Sequence, residues 1–599
     1  MKYRLALVNA RDLYSERLSA RQSAAAALRR RELTLSFARV GALVLALALA
    51  YFNGWLALGA LLAFFILAIV HDRVIRARKR VENSAAFYDR GLARIDGDWQ
   101  GRGDRGDEFA EDHHPYASDF DLFGLASLFE LISLAVTRAG RTRLASWLKQ
   151  PSMDGPEIRA RQAAVLELRD NVELREDLAV GAAEVVREVE GAKLDAWASM
   201  PRVTAAPVER IAATTLPLIA VIIVALTIPS LIRQFQGQPA TFPLWPLIAV
   251  SLAIGVVSRR FKPRVEPIVI GVERAEPALA LLGGILLRLE RETFQSPRLV
   301  ELAARTRGAH VEIERLRKLV ALLDARRNQF FAPIAALLLW TPHLAFAIER
   351  WRAKHGPFIV DWIEAVGEFE ALTSLASFSF EHPAFAMPSI AEAGPLFDAR
   401  DLGHPLIPGD RRVANDLHLD GTLRLLIVSG SNMSGKSTMM RSTGIAAVLA
   451  MAGGPVCARS LTMAPMAVGA SIRIHDSLQE NASRFYAEIL RIRQVLEMAQ
   501  RGPMLFLLDE MLAGTNSHDR RIGAEAIVRA LVARGAVGLV STHDLALAQI
   551  AEELAPKAAN VHFEDHIEDG RVVFDYKMRS GVVTKSNALE LMRSVGIDV

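Results

Sequence analysis

The chain has 599 residues, of which 51% are hydrophobic and 23% charged, with 71 Lys and Arg against 67 Asp and Glu. That length exceeds what one core organises, so several domains are expected, and a mean hydropathy of +0.20 requires the apolar excess to be concentrated in particular segments. The single cysteine, Cys457, excludes an internal disulfide framework and gives no support to a cysteine-based metal site. A net charge of +4 neither requires nor forbids a nucleic-acid partner.

Residues 1–34 form a basic N-terminal segment, followed by a predicted transmembrane hairpin over 35–71. Residues 40–70 hold no charge, and Phe52-Asn53-Gly54-Trp55 at their centre reads as a tight turn at a membrane interface. Residues 72–117 read as a linker. Its Gly/Asp/Glu/His-rich part, 97–114, contains Asp112-His113-His114, adjacent ligand types without the separated pairs that structural metal sites use. Residues 118–207 repeat apolar positions at helical spacing.

A second predicted hairpin covers 208–258, with uncharged runs at 211–232 and 242–258. Arg29, Arg30, Arg31 and Arg39 precede the first pair, and Arg73, Arg76, Arg78, Lys79 and Arg80 follow it. Arg259, Arg260, Lys262 and Arg264 close the second, while the two turns carry only Arg233. This positive-inside pattern predicts a multi-pass protein of the inner (cytoplasmic) membrane, anchored by four helices, with both large polar regions in the cytoplasm. No cleaved signal peptide is expected, because the apolar run starts late and lacks a small-residue cleavage site.

Residues 259–390 return to a helical pattern, with one long charged amphipathic helix predicted over 297–327 as a spacer or lever. The apolar stretch 331–348 contains Pro333, Pro342 and His343. An unpaired fifth span would place the C-terminal part of the chain outside the cell, so it reads as a buried helix.

Residues 391–599 hold the chemistry. The apolar run Leu425–Val428 reads as a buried strand and leads through Ser429 into Gly430-Ser431-Asn432-Met433-Ser434-Gly435-Lys436-Ser437-Thr438, after which a helical pattern begins. This is the P-loop order of strand, glycine-rich turn and helix, in which backbone N–H groups and a helix N-terminus cradle phosphates. Lys436 is placed to reach the β- and γ-phosphates of ATP, and Ser437 to ligate Mg²⁺. A second apolar strand, 504–508, ends in Asp509 and Glu510, one carboxylate for the Mg²⁺ shell and one to polarise the attacking water. A third, Gly538 to Thr542, ends in His543, which reads as a γ-phosphate sensor.

These motifs resemble the MutS family, the DNA mismatch repair branch of the ABC-type ATPases. The loop around Asn432-Met433 is similar to the family's asparagine-methionine form, and Leu512-Ala513-Gly514-Thr515-Asn516 to its dimer-facing segment. Ser483, Phe485 and Glu488 fall in a signature-like segment that, by this resemblance, acts across a dimer on the partner's nucleotide. Asn560 to Phe563 and Gly581 to Leu589, with Lys585-Ser586, match its C-terminal part. Upstream, Asp401 to Pro405 resembles the start of the family's ATPase domain, and Thr137 to Gly140, Trp147-Leu148 and Arg161-Gln162 the start of its helical core. Where the family stacks an aromatic ring on adenine before an Asn-Asp pair, Arg412 precedes Val413-Ala414-Asn415-Asp416, and Tyr576 falls at the opposing position.

The resemblance implies an α/β P-loop (ABC-type) ATPase domain behind an all-α core and lever domain carrying the hairpins. It implies ATP and Mg²⁺ as cofactors, a homodimer, and DNA as partner. Before Ser118 nothing resembles the mismatch-reading and connector domains with their Phe-x-Glu wedge, and no DNA-gripping clamp is evident, so a role in DNA mismatch repair or DNA-structure sensing is implied by the family resemblance alone. The alternative is an ATP-driven mechanical or scaffold role at the membrane on a protein or lipid partner, without DNA. A transporter is disfavoured, because four short spans free of internal charge offer no substrate path.

Overall fold

The computed structural model describes residues 9–183, 197–202, 207–431, 433–473, 484–543, 545–568 and 571–583. Asn432 and Ser483, and the 584–589 part of the C-terminal match, lie outside them.

Two 43-residue helices, α1 (Ala10–Phe52) and α2 (Gly54–Asp96), form the first hairpin. Asn53 makes the turn, its side-chain oxygen accepting from the N–H groups of Trp55 and Leu56 as an N-cap. Gly97, at φ +88°, caps the far end of α2 in the left-handed conformation. The helices run well past the apolar tip in both directions, because the charged residues on either side also follow helical spacing. At their base Tyr14, Phe87 and Tyr88 are buried together.

The segment 97–117 is packed against the fold, which corrects the linker reading. Trp99, His114 and Tyr116 are buried, and a 3₁₀ turn at Asp107–Phe109 presents Phe109 to Phe123 and Phe129. His114 serves the backbone: Nδ1 accepts from Ala117 N–H at 3.1 Å, and Nε2 lies 3.0 Å from the Lys149 carbonyl. Among the described residues no group of three His, Cys, Asp or Glu side chains could hold a metal ion.

The helical domain then adds α3 (Leu128–Ile132), α4 (Arg138–Lys149), α5 (Gly155–Arg169) and α6 (Val172–Ala183). The second hairpin is α7 (Pro207–Phe235) and α8 (Trp245–Glu290). α1, α2 and residues 211–235 of α7 are long and apolar enough to cross a membrane, by length and composition. The fourth predicted span, over 242–258, is not among them. α8 starts at Trp245 and meets Arg259 after residues 245–258, a helical rise of about 21 Å against the roughly 30 Å hydrocarbon core.

The predicted lever over 297–327 is also corrected. It is broken at Gly308, φ +75°, into α9 (Pro297–Thr306) and α10 (Ala309–Asp324). Leu299, Leu302, Ile313, Leu316, Val320 and Leu323 are buried in the main core, so these helices are a packed layer. The stretch 331–348 is divided between α11 (Ala332–Leu337) and the start of α12 (Trp340–Glu381), and it is only partly buried.

The C-terminal domain contains two sheets. In the smaller, β1 (Ser389–Ile390), β2 (Phe397–Leu402), β3 (Asn415–Leu419) and a later strand, β5 (Ser460–Met463), take the order β1-β5-β2-β3. The chain continues through β4 (Leu425–Ser429), α13 (Lys436–Ala452), β5 (Ser460–Met463), β6 (Ala467–Ser471), α14 (Arg484–Met498) and β7 (Met504–Leu508). The described residues go on through α15 (Ser517–Ala533), β8 (Val537–Thr542), α16 (Leu545–Glu553), β9 (Ala558–Glu568) and β10 (Arg571–Ser580). The larger sheet has the order β10-β9-β4-β8-β7-β6, with β9 through β6 mutually parallel and β10 antiparallel.

β4, β7 and β8 are buried throughout, which is why they read as continuous apolar runs. Their side chains alternate between two cores. Leu426, Val428, Leu505 and Leu507 face the helical domain, whereas Leu425, Ile427, Phe506 and Leu508 face the layer containing Val495, Val528 and Ile550.

Candidate nucleotide site

Because β4, β8 and β7 are neighbours in one parallel register, the segments leaving their carboxyl ends meet on one rim, where open α/β sheets place ligands. After β4 the chain turns through Gly430 at φ +145° and Gly435 at φ +114°, both outside the range of an ordinary L residue. Space is restrictive as well. A Cβ on Gly430 would lie 2.8 Å from the Phe563 carbonyl oxygen, and one on Gly435 3.3 Å from the Tyr576 ring. Ser434 is buried and donates to the Ser431 carbonyl at 2.8 Å, closing the loop.

Lys436 opens α13 with its ammonium folded back under the loop, donating to the carbonyls of Gly430 (2.9 Å) and Ser431 (2.8 Å). Burial holds its pKa below the ordinary lysine value, and the carboxylates of Glu510 and Asp509 partly counter this. Ser437 Oγ donates to Asp509 Oδ2 at 2.5 Å. Thr438 is exposed, and Met433 projects outward at φ +67°.

Asp509 is also held from β8, whose Ser541 hydroxyl donates to its other oxygen. The same hydroxyl accepts from the Glu510 N–H at 3.0 Å. Ser541 is not among the predicted site residues, although it sits in the strand-end triplet that supplied His543. Glu510 stands at φ +46°, and its carboxylate meets His543 Nε2 at 2.6 Å. Both side chains are part-exposed beside a cleft of about 60 Å³ also lined by Ala513 and Arg520. At roughly 10–15 Å³ per water, the cleft holds several.

One of the two adenine-flanking assignments is revised. Arg412 is no adenine platform: its guanidinium donates to the carbonyls of His404 (3.0 Å) and Ile407 (2.6 Å) and lies over the Phe385 ring at 5.2 Å. Its in-plane donors are taken by the loop carbonyls and the guanidinium lies against the Phe385 ring, which ties it to its own loop. Tyr576 does border the P-loop. It is partly exposed, and its carbonyl and the Met578 N–H are gripped by the Asn415 side chain.

Of the signature-like residues, Phe485 packs on Gly514, where a Cβ would lie 3.0 Å from its own. Glu488 is buried and accepts from the Leu512 N–H at 2.5 Å. Both therefore brace their own chain's segment after β7, holding Leu512 at φ +58°, rather than facing outward.

A further set was missed. Asp119, almost fully buried, accepts from the N–H groups of Ile472 and Arg473, each at 2.7 Å, and pairs with Arg491 at 3.2 Å. Asp121 pairs with Arg441 on the P-loop helix and with Arg473. The 97–121 segment thus clasps the nucleotide domain to the helical one.

Comparison with known families fits this arrangement. A model described as MutS domain V matches residues 426–598, and one described as MutS domain III matches residues 116–215. The Endonuclease MutS2 of Thermus thermophilus is 32% identical over 243 residues, covering 39% of this chain and 30% of that protein. The DNA mismatch repair protein MutS of Brevibacillus brevis is 30% identical over 255 residues, covering 41% and 29%. The protein of the same name from an Exiguobacterium species is 36% identical over 195 residues, covering 31% and 23%. The chain thus spans less than a third of the length of each of these relatives.

Proposed function

The chain belongs to the MutS family and carries that family's ATPase domain, and from this premise we propose that it is a dimeric, membrane-anchored P-loop (ABC-type) ATPase that acts on DNA. The observation that carries the catalytic part is the meeting of Lys436, Ser437, Asp509, Glu510 and His543 on one rim of the sheet.

The donor set suits Mg²⁺-ATP. A serine hydroxyl and a carboxylate already in contact are the hard oxygen ligands that Mg²⁺ takes, and the glycine turn ending at a helix N-terminus suits the triphosphate. In this reading Ser437 and Asp509 hold the metal, which neutralises phosphate charge. Lys436 exchanges its two loop carbonyls for phosphate oxygens. Tyr576 flanks the nucleotide beyond Gly435. Glu510 accepts a proton from the attacking water, and His543, already hydrogen-bonded to it, orients that carboxylate toward the γ-phosphate position.

The membrane part rests on three helices long and apolar enough to cross a bilayer. The cytoplasmic placement of the ATPase domain rests on the arginine-rich flanks of both hairpins and requires the second hairpin to return to the side it entered from, with α7 and the shorter apolar part of α8 seated in the membrane together. The DNA part rests on what the relatives' names state: two are DNA mismatch repair proteins and one an endonuclease. The apolar hairpins favour a second reading, in which nucleotide-driven motion acts on a protein or lipid partner without DNA.

A binding panel on the full chain in detergent, using homoduplex, mismatched and branched DNA across a salt series, separates the two. The DNA reading predicts binding at low salt that weakens linearly in log–log form as salt rises. Absence of binding to all three substrates at low salt overturns it in favour of the second.

A further inference from the structure

Residues 328–348 contain no Asp, Glu, Lys or Arg, yet they do not form one helix. α11 ends at Leu337, and the chain turns at Leu339, φ +48°, a conformation unfavourable for a bulky residue unless its surroundings hold it. What holds it is the second hairpin. Leu339 is buried against Ala220 of α7 and Val250 and Ile254 of α8, with Leu337 beside it. Those partners sit inside the hairpin's apolar band, where Leu218, Ile222, Leu252 and Val256 are all more than half exposed. Leu337 and Leu339 therefore lie at the level of the apolar surface of α7 and α8. Ahead of this corner Phe330 is 91% exposed and Ile334 is 50% exposed.

A single exposed phenylalanine is ordinary in water. Continuity with the hairpin's apolar band is not, and neither is the state of the polar groups. In hydrocarbon, backbone that leaves the helix survives only when its polar groups are satisfied within the protein. Here Phe330 N–H bonds the Asn328 side chain, and Phe331 and Ala332 N–H bond its carbonyl. Ala335, Leu338 and Leu339 N–H bond the carbonyls of Phe331, Ile334 and Ala336, and Pro333 has no N–H to satisfy. Trp340 Nε1 donates to the Leu322 carbonyl at 2.7 Å, and His343 Nε2 lies 2.8 Å from the Ala213 carbonyl. Arg326 and Arg327, which precede the corner, are both paired with Glu273 on α8.

We propose that residues 328–339 are a re-entrant element that dips into the phospholipid bilayer beside the second hairpin, presenting Phe330 and Ile334 to acyl chains. It widens the apolar face at the point where residues 245–258 of α8 are too short to span. This rests on the membrane reading of the hairpins, and the test separates the two.

Single cysteines for an environment-sensitive NBD label are placed in the full chain carrying Cys457→Ser. They are Phe330→Cys at the corner, Ile222→Cys on α7 and Val311→Cys on α10, all exposed positions whose replacement leaves the core intact. The protein is reconstituted into phosphatidylcholine vesicles. The expected result is a blue-shifted label at 330, quenched by nitroxide lipids and losing iodide quenching as the label at 222 does, while the label at 311 remains open to iodide. A label at 330 that behaves like the one at 311, with 222 in lipid, overturns the re-entrant element alone. Labels at 330 and 222 both in water overturn the element and the membrane reading together.

Discussion

At the scale of single residues, the rim of the site is built from positions that tolerate little change. Gly430 and Gly435 combine left-handed backbone with close neighbours, and Ser541 fixes both the Asp509 carboxylate and the Glu510 backbone. His404, in the loop after β2, shows how burial enters pH dependence. It is buried, its Nδ1 accepts from the Leu406 N–H at 3.3 Å, and Arg441 and Arg412 lie nearby. Desolvation first, then those two positive charges, push its pKa down to about 4. An unfolded chain, with histidine near 6.5, therefore binds more protons between pH about 6.5 and about 4, and stability is lost as pH falls through that window. The loss is on the order of 3 kcal/mol. Denaturation in detergent from pH 7 to 4 is expected to show a steeper fall for the native chain than for His404→Gln, and equal slopes would contradict the assignment.

At the scale of elements, the first hairpin is bolted to the helical domain by buried charge. Arg94 on α2 makes a two-pronged contact with Glu381 at the end of α12, at 2.5 and 2.6 Å, with both side chains buried. Tyr14 of α1 touches the same carboxylate at 3.4 Å, and Arg175 of α6 bridges Tyr14 to Ser377 on α12. Glu176 gathers Tyr88 and Arg21 in a second cluster. Removing one partner of a buried pair strands the other charge, at a cost of about 3–5 kcal/mol. Arg94→Ala and Glu381→Ala are each expected to destabilise by that order, and the double variant by clearly less than their sum. Additive losses in chemical denaturation would show that the pair does not act as a unit. Because α12 runs from the second hairpin to this cluster and leads into the nucleotide domain, it is the element through which motion at the site would reach both hairpins.

At the scale of the whole molecule, what was legible in the sequence was what is local. Fully buried parallel strands announce themselves as unbroken apolar runs, so β4, β7 and β8 and the motifs leaving them were readable, as was the Asn53 turn between two apolar arms. The rest depends on non-local pairing. Ser541 matters only because β8 lies beside β7, and the roles of Glu488 and Arg412 depend on backbone groups brought to them by the fold. The polar 97–117 stretch reads as a linker because the groups it packs against are far away in sequence, as with Arg491, which donates to the His114 carbonyl from 377 residues on.

The central claim is that this rim hydrolyses ATP through Glu510. Single-turnover hydrolysis and nucleotide binding measured on Glu510→Gln, beside the native chain and Lys436→Ala, test it most directly. The expected result for Glu510→Gln is ATP binding retained with turnover reduced roughly 10²–10⁴-fold, while Lys436→Ala loses binding. Turnover at the native rate in Glu510→Gln would contradict the assignment.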